Sequence, residues 1–414
     1  MDWSATPPVR SVTGRRAASP HQPALASVSR LPLYAVLGVA LSLASYAPAR
    51  GAPADSTGVA PGFQTTEWET LATGLPEEAR LQPRYNFRYN RVDGPAPTAG
   101  IAVRADRTPE PLLFVQATYA FSRERLLLEG GLEAPFGDPV RFRAGGTAYR
   151  RTATEDAWIV DEVENTIFAL LARTDYRDYY ESEGFEARLI WEPGYDFSLR
   201  GDVRVEDQRS LQNEANVSLT GGDDRFRENP AIEEGQDGVL SGTVRIGPDT
   251  ITSDGGTRGS LTYERAGTPV NGDFEYGRVR GSVVTRLRPS RKQDARARLV
   301  GGSTLTGDLP SQKVWHLGGI STLRGEDFKR FSGDQFLLAN AEYYLLARKN
   351  VWAFGFLDWG MAWFGKDNLS RQQFVLDGGI GVRIAEGPLA VTAARNLQRS
   401  DAAIRVGVRL GGTF

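Results

Sequence analysis

The sequence predicts an all-β fold, an antiparallel barrel built to cross a membrane, and three observations carry that prediction. Near the end of the chain Ile404, Val406, Val408, Leu410, Gly412 and Phe414 fall on one face, and Arg405, Gly407, Arg409, Gly411 and Thr413 on the other. This is the period of 2 that sends successive side chains to opposite sides of a strand. The run stops on an aromatic residue, Phe414, which would sit at a membrane interface. Similar runs recur from about residue 81 onward between Gly, Pro, Asp and Asn clusters. No set of amphipathic helices accompanies them to cover so many half-apolar strands.

Composition narrows the class. A formal net charge of −2 over 414 residues gives no argument for nucleic acid as a partner. The mean hydropathy of −0.36 excludes a helical membrane bundle. It fits a barrel, because half of each strand faces water. The 46 Gly, 8 Trp, 14 Tyr and 19 Phe suit close strand approach and aromatic girdles. The chain has no cysteine, which excludes disulfides, thiol catalysis and cysteine-ligated metals, and suits passage through an oxidising compartment while unfolded.

In chain order, the apolar run Leu31 to Tyr46 is too short for a comfortable span, follows Arg10, Arg15, Arg16 and Arg30, and precedes small residues. Residues 1–54 therefore read as a signal peptide, cleaved after Ala49 or Ala54. Residues 55–80 read as a short periplasmic segment with one helix candidate near Glu67 to Thr73, and 81–414 as the barrel. Within it, Phe197, Leu199, Gly201, Val203 and Val205 alternate with Ser198, Arg200, Asp202, Arg204 and Glu206. Gly277, Val279, Gly281, Val283, Thr285 and Leu287 alternate with Arg278, Arg280, Ser282, Arg286 and Arg288. Phe374, Leu376, Gly378, Ile380, Val382 and Ile384 oppose Asp377 and Arg383. Such runs approach the roughly 9–11 residues a tilted strand needs to cross a bilayer. The polar faces, rich in Arg with interspersed Asp and Glu, read as a lumen, because Gly is frequent on the apolar side where a packed core would prefer Leu or Ile. Ala157 to Ala172 has helical spacing at Ile159, Val163, Ile167 and Leu170 or Leu171, with Asp156 or Thr154 as cap, which predicts a helix at a barrel mouth. Residues 207–237 read as a long external loop.

The C-terminal quarter carries an ordered motif series. Leu317-Gly318-Gly319, Thr322-Leu323-Arg324-Gly325 and Ser332-Gly333-Asp334 precede a strand holding Ala341-Glu342-Tyr343. Phe356-Leu357-Asp358-Trp359-Gly360 follows, then Asp377-Gly378-Gly379-Ile380-Gly381-Val382-Arg383 and Gly387-Pro388-Leu389. This series, over 317–414, resembles the bacterial surface antigen barrel of the BamA/TamA outer-membrane assembly-factor superfamily, in a form lacking POTRA domains. Upstream, Tyr89-Asn90-Arg91-Val92-Asp93-Gly94 and Asp175-Tyr176-Arg177-Asp178-Tyr179-Tyr180 resemble a subgroup of these barrels. The resemblance implies about 16 strands, long extracellular loops, and a sixth outer loop whose Arg-Gly tip folds back into the lumen.

Period-2 counting puts Asn340 and Glu342 on one face of their strand, and Asp358 opposite Leu357 and Trp359. Glu342 and Asp358 then both belong in the lumen on neighbouring strands. An inward loop would bring Arg324 to these two carboxylates, for which its planar donor fork is suited. Gly325 would let the loop backbone approach the wall closely. The resemblance further implies an outer-membrane multi-pass protein with both termini periplasmic, which helps insert or translocate polypeptides without ATP or a cofactor. The alternative is a barrel-only passive pore, or a scaffold for a periplasmic partner. Expected partners are outer-membrane lipids and lipopolysaccharide, the host's barrel assembly machinery, and client polypeptides, but no nucleic acid. Phe414, Leu410 and Val408 are expected to form the C-terminal assembly signal. Gly407, Gly411 and Gly412 would weaken the closing strand at a seam between first and last strands. No catalytic or metal site is expected: outside the signal, His316 is the sole histidine and lies on the strand-like run Val314-Trp315-His316-Leu317.

Overall fold

The computed structural model of the protein describes residues 81–410 apart from 105–110, 138, 220–224, 249–250, 252–254, 269, 366–373 and 385–388. The expectations for the signal, the segment 55–80, Gly411, Gly412, Phe414 and the Gly387-Pro388 motif lie outside the described residues. Eleven strands come first: β1 Leu81–Asn90, β2 Gly94–Arg104, β3 Leu112–Ala120, β4 Arg125–Phe136, β5 Phe142–Ala153, β6 Tyr180–Gly194, β7 Phe197–Ser210, β8 Gly235–Ile246, β9 Gly255–Ala266, β10 Tyr276–Ser290 and β11 Gln293–Gly307. The short pair β12 Trp315–Leu317 and β13 Phe331–Gly333 stands apart as its own two-stranded sheet. Then come β14 Gln335–Arg348, β15 Val351–Trp363, β16 Val375–Ile384, β17 Leu389–Asn396 and β18 Arg405–Leu410. One 16-stranded antiparallel sheet runs in sequence order from β1 to β18, omitting only the β12–β13 pair.

The faces follow the pleat. On β14, Asn340, Glu342 and Tyr344 are buried while Tyr343 and Leu345 are exposed; on β15, Asp358 is buried and Leu357 exposed. On β7, Arg200, Asp202 and Glu206 are buried, and Leu199 and Val203 face outward. Charged residues inside and apolar residues outside invert a soluble protein and suit a wall with lipid on one side and a filled lumen on the other. No described helix is long and apolar enough to cross a membrane.

The two rims differ in the way the sequence predicted. At one rim, strands join through turns as tight as 195–196, 291–292 and 349–350, the last with Asn350 at φ 64°. Asn accepts this left-handed conformation more readily than most residues, as tight hairpins require. The opposite rim carries the long connections 154–179, 211–234 and 308–334. The last is the sixth connection at that rim, the place the resemblance implied. Strands β7 and β8 extend into the expected loop 207–237 from both sides, leaving 211–234 between them.

The helix prediction needs correction. Asp156–Trp158 forms a separate 3₁₀ turn, and helix α1 spans Glu162–Ala172. Its cap is Asp161, whose side chain accepts from the N–H groups of Val163 and Glu164. The carboxylate of Asp156 is engaged elsewhere, accepting from the N–H of Asp178 (2.7 Å) and from Lys329. Thr154 Oγ1 accepts from the N–H of Asp156 and so turns the chain before the helix.

Candidate functional site: an inward-folded loop clamped to the wall

The connection 308–334 is held in the lumen by apolar burial. Trp315, Leu317 and Leu323 pack with Val300, Phe336 and Leu338 of β11 and β14. Full burial of a leucine side chain stabilises by about 1.5–3 kcal/mol. Gly318 (φ 119°) and Gly319 (φ 89°) make the reversal before the tip, in backbone conformations that side-chain-bearing residues avoid. The N–H of Gly318 donates to Thr322 Oγ1 (2.8 Å), and that of Gly319 to the carbonyl of Leu323 (2.9 Å). The turn thus leaves Arg324 and Gly325 projecting at the wall.

Arg324 meets the residues expected of it. Its Nε and Nη2 donate to Asp358 Oδ2 and Oδ1, both at 2.7 Å, and Nη1 donates to Glu342 Oε1 at 2.5 Å. The backbone N–H of Arg324 adds a contact to Asp358 Oδ2 (3.2 Å). The guanidinium lies 3.6 Å over the ring of Phe356, two residues before Asp358 on the same face. Burial opposes its charge, but Asp358 and Glu342 outweigh that and hold its pKa above the ordinary arginine value.

Several partners were not foreseen. Asp377 of β16 stands directly opposite Asp358 in the ladder and is fully buried. Two carboxylates at this spacing repel in a desolvated site. The loop answers with Arg324 at one and the N–H of Gly325 at the other, donating to Asp377 Oδ2 (2.7 Å). A Cβ on Gly325 would lie 2.6 Å from the Arg395 backbone and 2.7 Å from the Asp377 carboxyl carbon, so only glycine fits. Asn340 bridges, donating to Asp358 Oδ1 (2.8 Å) and to the carbonyl of Thr322 (2.9 Å). Arg298 donates to the carbonyl of Ser321 (2.6 Å), Asn396 to Glu326 (2.6 Å), and Arg405 of β18 to the carbonyl of Gly325 (3.1 Å). Strand parity already put Asn340 and Asp377 on lumenal faces; their height on the wall, and so their contact with the tip, needs the register, which the sequence does not display.

The two upstream motifs also come together, at the rim with the long connections. Arg91 is fully buried. Its Nη1 donates to the carbonyl of Arg177 (2.6 Å), its Nη2 to Asp178 (2.8 Å) and Asn229 (3.0 Å), and its own N–H to Asp175 (3.0 Å). Lys329 of the sixth connection reaches Asp156 (2.6 Å) and Asp178 (2.5 Å), tying that loop to the third. Burial would raise the pKa of Asp178, but Lys329, Arg227 and Arg91 hold it well below the usual carboxylate range.

His316 sits on β12, in the loop's own hairpin rather than the wall, with Nδ1 2.9 Å from Ser332 Oγ. Burial, reinforced by nearby Lys329, lowers its pKa to about 4, so the ring is neutral at pH 7. Among the described residues no group of His, Asp or Glu side chains is placed to hold a metal ion. Gly407 pairs with Thr392 in unbroken register. Val408 lies beside it on β18, and Leu410, the last described residue, donates its N–H to Glu164 of α1 (2.8 Å).

Comparison with known proteins agrees with this geometry at the level of the fold. The barrel of BamA from Haemophilus ducreyi, in a form lacking POTRA domains 1–3, superposes with a TM-score of 0.55 at 12% identity, over 80% of this chain and 69% of that one. The fold is that of the BamA barrel. CdiB from Acinetobacter baumannii (TM-score 0.40, 14% identity) and CdiB from Escherichia coli (TM-score 0.46, 13% identity) match 80% and 81% of this chain. These matches span 59% and 63% of the CdiB chains. Residues 76–241 match a family of unknown function (DUF5686) through its C-terminal domain. That stretch contains both rim motifs, around Arg91 and around Asp175. No curated protein matches the chain.

Proposed function

We propose that this chain is an outer-membrane barrel that helps insert or translocate polypeptides across or into the outer membrane, without ATP. The observation that carries the reading is the Arg324 clamp. An inward loop tip is bound through Arg324 to β14 and β15, and through Gly325 to β16 and β18. Such a tip braces the last strands of the sheet from inside while leaving their lipid face free. Strand edges beside it can template another chain. Both termini would then be periplasmic, and the long connections extracellular. Client polypeptides, outer-membrane lipids and lipopolysaccharide, and the host's assembly machinery are the partners this role requires. The sixth connection folded into the lumen argues against the passive-pore alternative.

The test is reconstitution into liposomes with a labelled, unfolded client barrel. The expected result is faster client insertion than into empty liposomes, reduced in Arg324→Ala. Equal rates with and without the protein would overturn the assembly reading.

A further inference from the structure

We infer that helix α1 is a stave of the barrel wall: it occupies the seam between the first and last strands and closes it in place of direct β1–β18 pairing. Among the described residues the ladder runs from β1 to β18 with no pairing between those two strands. Their edges are met by α1 instead. The N–H of Tyr89 on β1 donates to Thr166 Oγ1 (3.2 Å), and Asn86 Nδ2 donates to Glu162 Oε1 (2.9 Å). On β18 the N–H of Leu410 donates to Glu164 Oε1 (2.8 Å), and Arg409 Nε donates to the same oxygen (2.9 Å). Phe87, two residues from Tyr89 and so facing the same edge, has its N–H satisfied by Asn86 Oδ1 (2.8 Å).

The placement of α1 in the plane of the wall follows from strand parity. Asn86 and Tyr89 project from opposite faces of β1. Yet α1 meets both sides, Asn86 through Glu162, and Tyr89 through the buried cluster it shares with Ala169, Ala215 and Phe226. An element stacked on one face of a sheet cannot do this; an element at its edge can. The helical wheel agrees, at 100° per residue. Glu162 and Thr166 lie on the flank toward β1, and Glu164 on the flank toward β18. Asn165 lies on the third side, bonded inward to Asp175 and Tyr179. The remaining side carries Val163, Ile167 and Leu171, and Val163 is 61% exposed. Ile167 and Leu171 are half-buried, and the exposed Val163 marks the outer side, which suits lipid. In lipid each unmet backbone group costs several kcal/mol, so an unpaired strand edge needs a substitute partner. Thr166 and Glu164 supply it.

The cysteine-free chain makes this directly measurable. A nitroxide at Val163→Cys or Ile167→Cys, in protein refolded into lipid, is expected to collide with dissolved oxygen and not with a water-soluble nickel chelate, as at Val406→Cys. Nickel collisions equal to those at Glu228→Cys in the water-exposed connection 211–234 would overturn the inference. A second readout uses outward labels at Phe87→Cys and Val406→Cys, which leave α1 intact. An intervening helix holds them about 10 Å apart or more, and direct strand pairing about 5 Å. Strong dipolar broadening at the shorter spacing would equally overturn it. Neither measurement uses a client, so each can fail independently of the assembly role.

Discussion

At the scale of the residue, the clamp is a charge-balance device. Asp358 and Asp377 oppose one another, and Glu342 stands on the strand beside Asp358. Without the loop tip the wall would hold three desolvated carboxylates. Removing one partner of a buried ion pair typically costs about 3–5 kcal/mol, because the other charge is left uncompensated. Arg324→Ala and Asp358→Ala are each expected to lower stability by about that amount, read as denaturant midpoint in detergent. The reciprocal exchange Arg324→Asp with Asp358→Arg restores opposite charges, and Glu342 still faces the new arginine. It should recover at least about half of the loss, as coupled pairs in one network do not add. No recovery in the double exchange would refute the clamp.

At the scale of the element, the first, third and sixth connections act as one cap, because Arg91 of the first and Lys329 of the sixth both bind Asp178 of the third. Arg91→Ala would remove the guanidinium 3.3 Å from the fully buried Asp175 carboxylate, while Lys329 and Arg227 still hold Asp178, an expected loss of about 3–5 kcal/mol. Arg91→Lys keeps the charge but loses the planar fork and should fall between. Limited proteolysis of 154–179 and 211–234 should accelerate in the same order, and unchanged cleavage in Arg91→Ala would sink the idea. These elements also show what the sequence discloses. Strand faces were legible throughout, since parity alone sends Glu342 and Asp358 inward. The inward Arg-Gly tip was legible only through the family resemblance, and parity then supplied its two carboxylate partners on neighbouring strands. The start of α1 was not: Thr154, Asp156 and Asp161 can all cap a helix, and only the tertiary engagement of Asp156 with Asp178 and Lys329 decides among them. The destination of α1 was hidden as well, since its spacing marks an apolar stripe but not what that stripe faces.

At the scale of the molecule, the lumen holds the sixth connection, bound to the wall from inside. The sixth connection crosses to β14–β18 at its tip, and at its base Lys313 joins Glu155, which also binds Arg278 of β10. Burial alone would raise the pKa of Glu155, but Lys313 and Arg278 hold it well below the usual carboxylate range, so these links persist across ordinary pH. The barrel should therefore conduct ions poorly in a planar bilayer. Arg324→Ala frees the tip while leaving the Lys313 anchor, and should raise mean conductance several-fold with frequent flicker as the loop redocks on its apolar contacts. Ionic strength separates this from a surface effect. At 1 M salt the screening length falls to about 3 Å, which weakens exposed pairs far more than buried ones. Wild-type protein should accordingly stay closed at 1 M salt once bulk conductivity is accounted for. A wild-type channel as wide as that of Arg324→Ala would show that the loop does not plug the lumen, and would return the passive-pore reading.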